Sequence, residues 1–220
     1  MEAVTTIVEA GPSKLDGLRA VLPFAAADLV DGVAFGVVAA GLGVAASKAI
    51  VLSATAFSGS AQFAALTVLG DHGSVFALLA AVAALNARYL VFAASVADAL
   101  SENRLKRAGE AQLLTDAAWA IAHRPGRPSR ELLVAAGGTE LVAWTTGSAI
   151  GVLAGGVVGG YRAVGLDAVL PAFFVCLLVE RVVRGGGAAG AVAGGAAAVA
   201  LTPFLPAGLP LLAVLGGALL

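Results

Sequence analysis

The chain has 220 residues, 60% of them hydrophobic and 12% charged, with a formal net charge of −1 and a mean hydropathy of +0.96. Soluble domains carry about 25% charged residues and roughly 45–50% apolar ones, so these proportions exclude a water-soluble globule. The charge balance has no basic face to bind nucleic acid, and the one cysteine, Cys176, excludes a disulfide framework or a thiolate metal cluster.

What remains is an all-α, polytopic transmembrane bundle. The 29 glycines, about twice the usual ~7% share, suit helices that approach closely in lipid. Residues 1–17 carry Glu2, Glu9 and Asp16 with no basic stretch before an apolar run, and so do not read as a cleavable signal peptide. A membrane-spanning helix needs about 20 mainly apolar residues. Runs of that kind fall at 19–41, 49–69, 74–100, 132–158 and 163–183. The tail, 187–220, is apolar but interrupted by Pro203, Pro206 and Pro210, and is expected to form two short helices, 187–201 and 207–220. About seven membrane segments result, some of them broken.

The first run contains Asp28 and Asp31, three apart and therefore on one helix face. The second contains "FSGSAQ", residues 57–62. Gly59 lowers helix propensity, and Ser58 and Ser60 compete for backbone hydrogen bonds. A break at 58–62 is therefore expected, lining a central cavity where freed backbone groups and Gln62 could hold a substrate. The alternative is that the serines and glycine permit close packing, with Gln62 as interhelical glue.

The third run carries Asn86 and Arg88 in "ALNARYLVF". Arg88 lies about 21 Å along the axis from Ser74, too far for its side chain to snorkel to that end. It should be paired inside the bundle, with Asp28, Asp31, Asp98 or Glu140 as candidate partners. Residues 101–130 hold Arg104, Lys106, Arg107, Arg124, Arg127 and Arg130, which marks a cytoplasmic linker with one short amphipathic helix. His72 and His123 read as solvated surface residues. The fourth run contains Glu140, the fifth Cys176 as a small apolar filler. Glu180 reads as the partner of Arg184 near an interface.

The glycines of "AFGVVAAGLG" and "TTGSAIGVLAG" have similar spacing, each followed by a breaker, Ser58-Gly59 or Pro171. The chain then reads as one transmembrane domain with repeat-like halves at 19–100 and 131–220, in the manner of an inverted-repeat carrier. Sidedness stays open. Single crossings put nine basic residues inside and three outside, whereas a second run that dips in and returns puts ten inside and two outside.

The ordered motifs "LPFAAADLVDGVAFG", "SATAFSGSAQF", "LNARYLVF", "LLTDAAWA", "WTTGSAIG" and "GLDAVLPAFF" resemble the AzlC family, the large subunit of branched-chain amino acid exporters. The resemblance implies a multi-pass inner-membrane protein with a small AzlD-type membrane subunit as partner. Tyr89 stands where many members have histidine, and Ala117 where many have an acid. The expected function is ion-gradient-driven export of small aliphatic amino acids, without a cofactor, a metal or a GxxxxGK[ST] nucleotide loop. Substrate would meet Ser58, Gly59, Ser60, Gln62, Asn86 and Arg88, with Asp31 and Glu140 coupling an ion or proton. A passive channel, a structural subunit and an intramembrane serine hydrolase are the other classes. The last lacks a general base near Ser58 or Ser60. Besides the AzlD-type subunit and the substrate, membrane lipids and further copies of the chain are the partners in view.

Overall fold

The computed structural model describes residues 14–123, 128–155, 188–201 and 204. The expected fifth run with Pro171, Cys176, Glu180 and Arg184, and the helix at 207–220, lie outside these. The described chain is all helical: α1 (Lys14–Gly41), α2 (Ala46–Thr55), α3 (Gly59–Gly70), α4 (Val75–Asn86), α5 (Arg88–Val96), a 3-10 turn (Ala97–Ala99), α6 (Arg104–Gln112), α7 (Asp116–Ala122), α8 (Arg130–Gly155) and α9 (Ala188–Leu201). Two stretches, Gly17–Gly41 and Val75–Ala99, are long and apolar enough to cross a membrane.

The most extensive helix pairing joins α1 to α8, along a seam of small residues. Gly17 packs on Leu132, Gly32 on Trp144 and Ser148, Gly36 on Val152, and Gly155 on Val37 and Ala40. Contacts that advance together along both helices make the pair parallel. An inverted repeat relating these two runs would instead oppose them. The backbones meet because side chains are missing: a Cβ on Gly36 would stand 2.5 Å from Val152 N, and one on Gly151 would stand 2.9 Å from Val33 Cα. Lipid gives helices no hydrophobic reason to associate, so this close packing is what holds the pair.

The second run is not one straight helix. It divides into α2 and α3 about a bend at 56–58, and Gly70 at the end of α3 packs on Leu42, just past α1. The chain therefore enters and leaves this hairpin at the same end of the bundle. α4 starts there too, capped by Ser74, whose hydroxyl accepts from Ala77 N–H at 3.1 Å. It continues through the single residue Ala87 into α5 and ends where α1 begins, with Val96 packed among Val21, Leu132 and Leu133. A second apolar cluster, around Phe35, Phe63, Trp144 and Val152, fills the opposite end. A cavity lies between the two clusters.

The expected single amphipathic helix in 101–130 is two helices. Asn103 caps α6 by accepting from Leu105 and Lys106 N–H, and Thr115 caps α7 by accepting from Ala118 N–H at 2.9 Å. The break at 113–115 turns Leu114, Ala118 and Ala122 onto Val21 and Ala136, so the region packs into the bundle instead of lying wholly in solvent. Its two ends are tied by Glu110, which is buried and accepts from Ser101 N–H at 2.7 Å and from Arg130 Nε at 2.8 Å. The Arg130 hydrogen bonds and the Ser101 amide hold the Glu110 carboxyl below the usual carboxylate range.

Gly36→Val should separate α1 from α8 and destabilise the protein by about 1–3 kcal/mol, the usual cost of overpacking. Gly138→Ala, where a Cβ meets nothing within 4 Å, should be neutral or slightly stabilising. Thermal unfolding in detergent, followed by size-exclusion chromatography, checks the pair. Equal midpoints for the two variants would contradict the seam.

Candidate functional site

The cavity has a volume of about 410 Å³, within the roughly 300–1,000 Å³ usual for small-molecule sites. Asp28 and Asp31 of α1, Glu140 of α8 and Arg88 of α5 all reach it. Their depth is common. Asp28 is thirteen residues before Gly41 and Arg88 thirteen after Val75, so each lies about 20 Å from the hairpin end of the bundle at 1.5 Å per residue.

The break in the second run falls at 56–58, N-terminal to the expected 58–62. Gly59 is already the first residue of α3, and Gln62 N–H donates to Ser58 O at 2.9 Å, an ordinary helical bond. Two distant contacts set this register. Ser58, extended at φ −154° and ψ 91°, turns its hydroxyl from the helix and donates to Asn86 Oδ1 at 2.7 Å. Gly59 lies against the Trp144 indole, where a Cβ would come within 2.9 Å of the ring.

Gln62 does not line the cavity. Its Nε2 donates to Ala56 O at 2.9 Å and Leu52 O at 3.3 Å, and its Oε1 accepts from Trp144 Nε1 at 3.2 Å. It gives the Ala56 carbonyl, at the broken end of α2, a partner, adds a second donor to Leu52 O, which already accepts from Ala56 N–H at 2.8 Å, and fastens both to α8. Asn86 likewise lies behind the cavity, holding the break through Ser58 and bordering a smaller space of about 240 Å³. Of the residues expected to meet substrate, Ser58, Gly59, Ser60 and Arg88 line the main cavity. Gln62 and Asn86 support it from behind.

Arg88 is paired inside the bundle, as its position requires, but with none of the four carboxylates expected. Its Nη2 lies 3.0 Å from Asp116 Oδ2, the first residue of α7. The same nitrogen is 3.3 Å from Ser60 Oγ and 3.5 Å from Tyr89 OH, and the guanidinium stands over the Tyr89 ring at 5.2 Å. Its Nε is buried without a hydrogen-bond partner. Asp98, offered as a partner by sequence, is exposed in the 3-10 turn. Asp116 was hidden from sequence reasoning because it sits in the polar region taken for a linker. The available signal was Thr115-Asp116 ahead of "AAWAIA", the form of a helix start.

Glu140 is 3% exposed and accepts a 2.5 Å hydrogen bond from Thr115 Oγ1. Asp28 lines the same cavity. Asp28 and Asp31 share the cavity face of α1, as their spacing predicts. The opposite character comes from an aromatic group that sequence reasoning did not single out. Trp144 packs on Phe35 and Phe63 with ring centroids 5.8 and 6.1 Å apart, and Trp144, Phe63, Phe57 and Phe24 line the cavity. One space thus offers a guanidinium, four carboxylates (Asp28, Asp31, Asp116 and Glu140) and apolar walls.

Apolar spanning helices around a charged interior define a helical membrane protein. The chain belongs to the AzlC family, a transporter family associated with branched-chain amino acids, whose AzlC protein description matches residues 23–158. An uncharacterized membrane protein of Helicobacter pylori is 25% identical over 160 residues, which cover 71% of this chain and 70% of that protein. No solved structure matches the chain.

Gln62→Leu removes the amide that holds Ala56 and Trp144 together and leaves the Ala56 carbonyl and the Trp144 indole N–H unsatisfied, at a cost of about 1–3 kcal/mol each if buried. The thermal midpoint should fall and Trp144 emission should shift to the red. Unchanged stability and emission would show that the amide does not hold the break.

Proposed function

We propose that the chain exports branched-chain or similar small aliphatic amino acids across the cell (inner) membrane by alternating access, driven by an ion gradient. The observation that carries this is the cavity's pairing of opposite charges with aromatic walls. An amino-acid zwitterion needs a cation for its carboxylate and anions for its ammonium. Arg88 and Ser60 suit the first, and Asp31 and Asp28 the second. Ser58 and Gly59 bring backbone near the same space, and Phe57, Phe63 and Trp144 suit an aliphatic side chain. One methylene alters binding in such a pocket by only about 1–3 kcal/mol, so selectivity among valine, leucine, isoleucine and methionine is loose.

Glu140, buried and hydrogen-bonded to Thr115, is with Asp31 the place for the coupling ion or proton. The fold supports a sidedness as well. A hairpin that returns to its own end puts the start of α1 and the basic 101–130 region on one side, the cytoplasmic one by their charge. The chain then crosses several times and works beside a small AzlD-type subunit.

Cells expressing the chain with that subunit should hold less valine than cells without it when loaded with a valine-containing dipeptide. Arg88→Lys should lose most of the efflux, because a point charge cannot replace the planar fork. Equal intracellular valine with and without the two proteins, both shown to be in the membrane, would refute the exporter reading.

A further inference from the structure

Among the described residues Arg88 is the only cation on the cavity wall, and an internal carboxylate already sits on it. Asp116 opens α7, and the ion pair is one of three ties that hold this short helix against the cavity. On α8, Glu140 accepts from Thr115, which caps α7. On α5, Trp119 stacks on Phe92 at 4.6 Å and 14° and donates its indole N–H to Ser95 Oγ at 2.8 Å. Thr115, Asp116, Ala117 and Ala120 form the cavity wall on this side. The helix's other face, Ala118 and Ala122, is fully buried.

The pair itself is not sealed. Its side chains are 37% and 54% exposed, so a ligand in the cavity can reach it. Arg88 also has the unpartnered buried Nε–H, a donor that a second carboxylate can take alongside Nη2. Two carboxylates cannot both claim the same edge of one guanidinium without repulsion.

We propose that the Arg88–Asp116 ion pair is a latch opened by a carboxylate ligand. The ligand's carboxylate takes Asp116's place on the guanidinium, and α7 loosens from the cavity wall. This rests on the reading of Arg88 as the group that receives an amino acid's carboxylate. It adds that Asp116 is a positioning residue, which couples occupancy of the cavity to movement of its cytoplasmic-side wall. A ligand without a carboxylate leaves the latch closed.

Hydrogen exchange at the α7 amides of the purified full chain tests this without relying on transport. Valine should speed exchange in α7 on the order of fivefold, the scale of one partly exposed ion pair, and valinamide should not. Asp116→Asn and Arg88→Gln should each speed it to a similar extent without ligand, and the double variant no further. Where Arg88→Gln does not fold, Arg88→Lys takes its place and gives an intermediate rate. If Asp116→Asn alone speeds exchange, the effect belongs to the helix end and the latch is overturned. It is also overturned if valine slows exchange or if valine and valinamide act alike. If both single variants speed exchange and valine does nothing, the latch stands and the amino-acid reading of the cavity falls instead.

Discussion

A guanidinium inside an apolar helical stretch, about 20 Å from its Val75 end and about 12 Å from Val96, must find charge or water, and the rest of this structure is arranged around that requirement. Its own helix offers Arg88 only the Tyr89 hydroxyl and ring, and no opposite charge. Its other partners come from two interruptions elsewhere, the bend between α2 and α3 that presents Ser60 and the start of α7 that presents Asp116. Both interruptions put helix ends, with their unsatisfied backbone groups, at the interior of the bundle. Such ends are tolerated in lipid only where protein or a wet cavity receives them. The cavity and the broken helices are therefore one feature.

The parallel α1–α8 pair is the rigid frame for that feature. Its glycine seam fixes the distance between the helix carrying Asp28 and Asp31 and the helix carrying Glu140 and Trp144. A seam of larger residues would widen the gap and carry the carboxylates apart. Trp144 and Gln62 then transmit this fixed position to the bend, so the break is held from behind by a hydrogen-bonded indole and amide. Little is left to the flexible residues themselves.

The sequence showed Arg88, Asp31 and Glu140 readily, because a charge in an apolar run is conspicuous. It also showed that the second run would break, from the propensities of serine and glycine. It missed the register by about one turn, since Ser58 and Gly59 are placed by Asn86 and Trp144, distant in the chain. Asp116 was missed for the reverse reason: an acid among many polar residues does not stand out, and its one signal, Thr115-Asp116 at a helix start, marks a cap and not a partner for Arg88. The basic-residue counts could not separate a crossing from a re-entrant second run, because the two arrangements differ by a single residue on each side. Packing of Gly70 on Leu42 separates them.

The central claim is that α2 and α3 enter the membrane and return, which is what brings the bend to Arg88. Single cysteines at Lys48 and His72, in a Cys176→Ser background, test it with a membrane-impermeant maleimide on intact cells. Labelling of both positions from outside, with a cysteine at Arg107 labelled only after permeabilisation, is the predicted result. Labelling of Lys48→Cys and His72→Cys from opposite sides would contradict it.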